Sequence, residues 1–158
     1  MFDDIISKYA NQFRVPEVWI RAVIQTESSF DPQAYRAEPR INDASYGLMQ
    51  LLSSTARGLG YTGTTDGLYD VDTNIRLGTQ LLSDLIRRYG DDFRRVYSAY
   101  NSGSPDRWET STQVQSNVER ALRNLERFVQ NEPLIVTGGA VGGLLLLTLM
   151  WYWGQGKR

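Results

Sequence analysis

The most restrictive feature of the sequence is a run of twenty residues without a single charge, "LIVTGGAVGGLLLLTLMWYW", from Leu134 to Trp153. At about 1.5 Å per residue, a helix of this length reaches about 30 Å, the hydrocarbon thickness of a bilayer. The run ends in three aromatic residues and is followed by a tail with two basic residues, as is typical of a membrane–water boundary. A buried core helix is the alternative, but such a helix rarely lacks a polar face over this length. The sequence therefore predicts a single C-terminal transmembrane helix at 134–153 and a basic tail at 154–158.

Two overlapping GxxxG pairs lie in this run, Gly138 with Gly142 and Gly139 with Gly143. Small residues at this spacing let two membrane helices approach closely. Glycine is also tolerated in membrane helices without any such contact. The pairs are therefore compatible with self-association of the span and equally with no association at all.

Composition limits the chemistry available to the rest of the chain. With no cysteine and no histidine among 158 residues, a disulfide, a thiol nucleophile, a Ser-His-Asp triad and most zinc sites are excluded. Acid–base chemistry must therefore use carboxylates, tyrosine or lysine. The net charge of −1 and the interspersed acids and bases provide no basic stripe for nucleic acid.

Before the apolar run, hydrophobic residues repeat at helical spacing. This periodicity predicts an amphipathic N-terminal helix and further helices at about 16–28, 48–57, 73–89, 91–100 and 112–131. Residues 33–46 are polar and are predicted to form an irregular surface loop, and a small hairpin within 59–70 is the one strand alternative. We therefore predict an all-α fold, with an amphipathic spacer at 112–133 that packs on the domain and leads into the membrane.

One helix carries a carboxylate on its apolar face. Ile20, Val23 and Ile24 stand at i, i+3 and i+4, and Glu27 occupies the i+7 position where another apolar residue is expected. A carboxyl group that faces a core is costly to ionise, so the position needs an explanation. The residue either serves a chemical purpose or ends the helix structurally, paired with an arginine such as Arg21 or Arg36.

Four short motifs occur in order: "ESSFDP", "SYGLMQLLSSTA", "LYDVDTNIRLGTQLL" and "SAYNSG". In sequence and spacing they resemble the signatures of the lytic transglycosylases related to goose-type lysozyme, and the resemblance covers about residues 15–105. It implies a lysozyme-like helical domain at about 1–111, whose groove binds the glycan strands of peptidoglycan. It also implies that neither a metal nor a cofactor is needed.

The resemblance identifies Glu27 as the catalytic acid and base. The expected reaction cleaves the β-1,4 bond between N-acetylmuramic acid and N-acetylglucosamine. The N-acetyl oxygen of the substrate would stabilise the cationic centre, and ring closure would give a 1,6-anhydro product without consuming water. The physical expectation agrees, because a desolvated carboxyl group holds its proton at neutral pH and can then protonate a glycosidic oxygen.

The resemblance assigns roles to further residues of these motifs. Tyr100 would be a second catalytic residue, with its hydroxyl directed at the acid or at the N-acetyl group, and Asn101 would hold the turn or the glutamate. The residues expected to line the groove beside the scissile bond are Ser45, Gly47, Met49 and Gln50. Asp72, Asn74, Ile75 and Gly78 would pack the long helix behind the site.

Two alternatives to this assignment stay open. Goose-type lysozymes hydrolyse their substrate and are thought to use an additional aspartate to hold a water molecule, a role that Asp43 could fill here. The chain could also be a structural membrane or vertex protein that keeps a lysozyme-like domain for wall binding only. The spellings "GLMQ" and "AYN" favour the transglycosylase.

Peptidoglycan lies outside the cytoplasmic membrane, so the catalytic domain should face that side, with the basic tail inside. The N-terminal segment "MFDDIISKYANQF" lacks the basic start and continuous apolar core of a signal peptide. We therefore expect a single-pass protein of a bacteriophage virion membrane, used for local wall degradation during entry, with other virion proteins as partners. The alternative is a bacterial inner-membrane protein with its catalytic domain in the periplasm.

Overall fold

Six helices and a small antiparallel sheet make up the fold of residues 2–131, the part of the chain that the computed structural model describes. Short 3₁₀ turns at Pro39–Ile41, Asp66–Tyr69 and Arg107–Glu109 connect some of these elements. The helices are α1 (Asp3–Phe13), α2 (Glu17–Ser28), α3 (Ser53–Gly58), α4 (Val71–Tyr89), α5 (Phe93–Ser102) and α6 (Thr112–Asn131). The strands are β1 (Tyr35–Glu38), β2 (Asp43–Tyr46) and β3 (Leu51–Leu52). The predicted helical class is confirmed, and the sheet is an addition to it.

Helix α2 runs through the core. The apolar stripe predicted from the sequence is fully buried at Ile20, Val23 and Ile24, and α1 and α6 pack against the helix. The helix ends abruptly, because Ser29 and Phe30 both adopt positive φ angles of 54° and 65°. This left-handed pair turns the chain away from the helix axis directly after the residue that follows Glu27.

Helix α4 supports the site from behind. The side chain of Asp70 accepts a hydrogen bond from the Thr73 amide at 2.8 Å and caps the first turn. The helix packs on α1 and α5. Gly78 faces Met49 so closely that an added Cβ would overlap the methionine sulfur. The predicted packing role of the third motif therefore has a direct steric basis.

The sheet corrects the prediction for residues 33–46. They form a hairpin with Tyr35 opposite Tyr46 and Arg36 opposite Ser45, and β2 also pairs with β3 through Ser45 and Leu52. The strands are short and β1 is largely exposed, so the alternation of apolar and polar residues that indicates a strand is missing.

Two neighbouring predictions are wrong for related reasons. Residues 59–70, considered for a hairpin, contain the 3₁₀ turn and no strand. The helix predicted at 48–57 begins only at Ser53, because Leu51 and Leu52 pair as β3.

Helix α6 is amphipathic and lies against α2 and α5. Its buried residues Val114, Val118 and Ala121 follow the spacing expected of a helix that covers a core. None of the helices within residues 2–131 is both long and apolar enough to cross a bilayer. The transmembrane helix predicted at 134–153 and the basic tail at 154–158 lie outside the described residues.

Candidate active site

Glu27 lies in the last turn of α2 and is only partly exposed. The hydroxyl of Tyr97 donates a hydrogen bond to its Oε1 at 2.6 Å. Burial raises the pKa of Glu27 above its ordinary value, although the Tyr97 hydrogen bond and the charges of Arg36 and Arg120 act in the opposite direction. The carboxyl group is therefore desolvated and holds its proton more readily, as a group that donates a proton needs to.

The structural alternative for Glu27, an ion pair with Arg21 or Arg36, is wrong. The guanidinium of Arg21 pairs with Asp3 at 2.6 Å and with Glu17 at 3.3 Å. The Nε of Arg36 pairs with Glu38 at 2.5 Å. Both predicted partners thus serve other carboxylates, and among residues 2–131 no salt bridge reaches Glu27.

A stack of aromatic rings from α5 forms the wall beside Glu27. The ring of Tyr97 lies 6.0 Å from that of Phe93 and 6.3 Å from that of Tyr100, with interplanar angles of 15° and 11°. Tyr97 is completely buried. Tyr100 donates its hydroxyl to the Met49 carbonyl at 2.7 Å. The residue bonded to Glu27 is therefore Tyr97, whereas the Tyr100 hydroxyl, expected to face either the acid or the N-acetyl group of the substrate, bonds a backbone carbonyl.

Sequence reasoning missed Tyr97 because it shares a helical stripe with Phe93, Val96 and Tyr100. Its place on that stripe predicted only a core residue. A signal was available nonetheless, since a buried tyrosine hydroxyl requires a hydrogen-bond partner. Glu27, whose apolar environment also needed an explanation, is that partner.

The loop that carries the second motif is fixed by one buried amide from α4. Asn74 accepts a hydrogen bond from the Met49 amide at 2.8 Å, and its Nδ2 donates to the carbonyls of Tyr46 and Leu68 at 2.9 and 2.7 Å. Gly47 has a φ of 68°, and an added Cβ would lie 2.6 Å from this same Nδ2. Glycine is therefore required both for the backbone conformation and for the close approach of Asn74.

The other residues predicted to line the groove lie mostly beneath the surface. Ser45, Met49 and Gln50 are 1%, 0% and 9% exposed. Gln50 itself has a φ of 45°, and its Nε2 donates to the carbonyls of Ala34 and Gly47, both at 3.0 Å. The segment thus contacts Tyr100 through the Met49 carbonyl, while its buried side chains stabilise the conformation of the loop.

Asp43, the candidate for holding a hydrolytic water, instead accepts hydrogen bonds from the first residues of α3. Its Oδ1 accepts hydrogen bonds from the Ala44 amide, the Ser53 amide and the Ser53 hydroxyl, and its Oδ2 accepts one from the Ser54 amide. Burial acts to raise the pKa of Asp43, but these hydrogen bonds hold it well below its usual range. The side chain therefore does the work of a helix cap. Within residues 2–131, no three acidic side chains converge to form a metal site.

Helix α6 is hydrogen-bonded both to α2, which carries Glu27, and to α5. Asn101 accepts a hydrogen bond from the Nδ2 of Asn117 at 3.2 Å. Asn124 donates to the Thr26 hydroxyl at 2.9 Å, one residue before Glu27. Asn101, expected to hold the turn or the glutamate, thus contacts α6. The same helix supplies Arg120, whose charge acts on Glu27.

Comparison with known proteins agrees with this architecture. The family model for the Transglycosylase SLT domain matches residues 4–122. The transglycosylase of Enterobacteria phage PRD1 is 28% identical over 137 residues, which cover 87% of this chain and 48% of that protein. Membrane-bound lytic murein transglycosylase C of Haemophilus influenzae is 34% identical over 114 residues, or 63% of this chain and 30% of that protein. The chain therefore spans about half or less of the length of these relatives.

Solved structures share the fold. An inactive glutamate-to-glutamine mutant of the lytic transglycosylase Slt from Pseudomonas aeruginosa superposes with a TM-score of 0.71 at 23% identity, covering 80% of this chain and 24% of that one. The 70 kDa soluble lytic transglycosylase of Escherichia coli gives a TM-score of 0.68 at 22% identity, covering 82% of this chain and 24% of that one. The family predicted from the four motifs is thus confirmed, and the chain belongs to the Transglycosylase SLT domain family.

Proposed function

We propose that this chain is a peptidoglycan lytic transglycosylase in which Glu27 is the single acid and base. The observation that carries the proposal is a carboxyl group at the end of α2 whose pKa is raised by burial and whose Oε1 accepts a hydrogen bond from Tyr97. Membership in the family and similarity to proteins named as murein transglycosylases support the choice of substrate. The bond cleaved would be the β-1,4 link between N-acetylmuramic acid and N-acetylglucosamine.

In the first step, protonated Glu27 gives its proton to the glycosidic oxygen as the bond to C1 of the muramic acid residue breaks. The N-acetyl oxygen of the same sugar attacks C1 and carries the positive charge. In the second step, the Glu27 carboxylate removes the proton of the C6 hydroxyl, whose oxygen then displaces the N-acetyl oxygen at C1. The product is a 1,6-anhydro sugar, and Glu27 is protonated again without consumption of water.

The surroundings of the acid favour this route over hydrolysis. Hydrolysis needs a second polar group that positions water, and Asp43, the candidate for it, accepts four hydrogen bonds from the chain instead. We further propose that Tyr100 and Asn101 line the groove together with the backbone of Ser45–Gln50. In that arrangement the Met49 carbonyl keeps the Tyr100 hydroxyl at the wall of the groove.

The test is the variant Glu27→Gln, measured for release of anhydromuropeptides and for melting temperature. Glutamine keeps the size of the side chain and can still bond Tyr97, but it cannot protonate the leaving oxygen. General acid–base catalysis contributes about a hundred- to ten-thousandfold, so we expect activity at background. Stability should hold or rise, since the desolvation of an ionisable group is removed.

Glu17→Gln is the matched control, because it makes the same exchange in the first turn of the same helix. It should leave cleavage intact. Cleavage by Glu27→Gln at the wild-type rate would end the assignment of the acid. Products with reducing ends in place of anhydro ends would identify a hydrolase, and wall binding without any cleavage by the wild type would identify the structural alternative.

We also propose that the predicted span at 134–153 anchors the chain in a membrane and that the enzyme acts in phage entry. The similarity to a phage transglycosylase supports the second part. In a flotation experiment, the full chain should rise with phospholipid vesicles, whereas a chain that ends at Asn131 should stay in solution and cleave peptidoglycan. A full chain that stays in the aqueous fraction would refute the anchor, and immunogold labelling of purified virions tests the location.

A further inference from the structure

The contact between Tyr97 and Glu27 distinguishes the two oxygens of the carboxyl group. Oε1 accepts the Tyr97 hydroxyl at 2.6 Å. Oε2 forms no hydrogen bond with any residue in the range 2–131. Tyr97 cannot easily move away, because it is fully buried and its ring is stacked between Phe93 and Tyr100. One oxygen is therefore held by a rigid donor, while the other stays available.

We propose that Tyr97 is a positioning residue that keeps the transferable proton on Oε2 of Glu27 and stabilises the carboxylate left after proton transfer. The inference rests on the proposed role of Glu27 as the acid. A hydroxyl that donates to Oε1 disfavours protonation of that oxygen, because the carbonyl oxygen of a carboxylic acid is the better acceptor, and so favours the acid proton on Oε2. When the proton leaves, the same hydrogen bond becomes stronger, because its acceptor is now charged.

The other groups around Glu27 cannot replace this contact. Arg36 and Glu38 from β1 and Arg120 from α6 act on the carboxyl group through their charges, and they oppose one another in sign. Tyr100, the neighbouring tyrosine, gives its hydroxyl to a backbone carbonyl. Tyr97 alone among the described residues donates a hydrogen bond to Glu27. Burial and the neighbouring glutamate raise the pKa of Tyr97 well above its ordinary value, so the hydroxyl remains a donor throughout the working pH range.

The chain contains a matched control for this contact. Tyr9 is also buried, and its hydroxyl also donates to a carboxylate at 2.6 Å, that of Asp72. Asp72 lies at the start of α4 and is paired with Lys8. Tyr9→Phe therefore removes a hydrogen bond of the same type and length away from Glu27.

The experiment compares Tyr97→Phe, Tyr9→Phe and the wild type in two measurements on the full chain. The first is the pH dependence of anhydromuropeptide release. The second is the carboxyl titration of Glu27 by ¹³C NMR, assigned with Glu27→Gln. Because only protonated Glu27 can start the reaction, activity falls as the pH rises through its pKa. Loss of the donor should raise that pKa and move the alkaline limb to higher pH by about one pH unit.

The rate on the acidic side of the Tyr97→Phe profile should fall about ten- to a hundredfold, the effect of losing one hydrogen bond to a charged group. Tyr9→Phe should change neither the alkaline limb of the pH profile nor the titration of Glu27. A Glu27 pKa that stays constant or falls in Tyr97→Phe would overturn the role of Tyr97 alone. A Glu27 pKa that rises while the alkaline limb does not move would instead overturn the role of Glu27 as the acid.

Discussion

Two carboxyl groups, Glu27 at the end of α2 and Asp43 at the start of β2, have pKa values that the fold shifts in opposite directions. Burial acts to raise the pKa of each. Asp43 accepts four hydrogen bonds from backbone amides and a hydroxyl, and its pKa falls well below the usual range. Glu27 accepts one, from Tyr97, and its pKa rises. The deeper burial of Glu27 and the larger number of donors at Asp43 together decide which carboxyl group stays charged.

This difference distinguishes the structural Asp43 from Glu27, the proposed reactive group, more clearly than position in the sequence does. Glu27 begins the first motif and Asp43 stands just before the second, and both were candidates for a role in catalysis. A carboxylate saturated with donors is a weak base and a poor source of protons. A desolvated carboxyl group with a free oxygen can perform both tasks. The comparison therefore predicts that changes near Glu27 affect activity, whereas changes at Asp43 affect stability.

After Glu27→Gln, the largest effect should come from Tyr100→Phe, which alters the aromatic stack beside Glu27 without changing any charge. If the Tyr100 hydroxyl contacts the transition state, cleavage should slow by about ten- to a thousandfold. The ring still stacks on Tyr97, so the loss of the bond to Met49 should cost only about 1 kcal/mol of stability. Anhydromuropeptide release and urea denaturation of the same variant measure both quantities. An unchanged rate would assign Tyr100 to packing alone.

A smaller effect, on the other side of the comparison, is expected for Asp43→Ala. The variant leaves the amides of Ser53 and Ser54 without their acceptor, so the free energy of unfolding should fall by about 0.5–2 kcal/mol. The folded protein should cleave at the wild-type rate. Asp43→Asn keeps one acceptor oxygen and should lie between the two in stability. Loss of cleavage with unchanged stability would indicate that Asp43 takes part in the reaction, and it would favour the hydrolase.

The smallest effect concerns the pH dependence of stability. Because the folded pKa of Asp43 is depressed, its contribution is present above the unfolded value of about 3.9 and is lost as the pH falls through the folded value. Because the folded pKa of Glu27 is raised, its contribution is present below the unfolded value of about 4.3 and is lost as the pH rises.

Urea denaturation from acidic to neutral pH should show these two opposite pH dependences of stability separately. The stability gap between the wild type and Asp43→Asn should close in acid. The free energy of unfolding of Glu27→Gln should increase relative to that of the wild type as the pH rises towards neutrality. Parallel curves for the wild type and Glu27→Gln would mean that Glu27 keeps an ordinary pKa in the folded protein.

The sequence predicted those parts of the fold in which apolar residues repeat regularly at helical spacing. Helices α2, α4, α5 and α6 follow apolar stripes, and Glu27 was recognisable because it interrupts one. The sheet was missed since β1 is a short, largely exposed edge strand, stabilised by pairing rather than by an apolar face. Tyr97 was missed because helical spacing shows that a tyrosine faces inward but does not show which group its hydroxyl meets.

The packing of α6 has a consequence for how the protein is made. Glu27 is synthesised about ninety to a hundred residues before Arg120 and before the asparagines that bond Thr26 and Asn101. A nascent chain without α6 has its carboxyl group but lacks the charge of Arg120 and the hydrogen bond from Asn124 to Thr26. We therefore expect the surroundings of Glu27 to be complete only after α6 has docked.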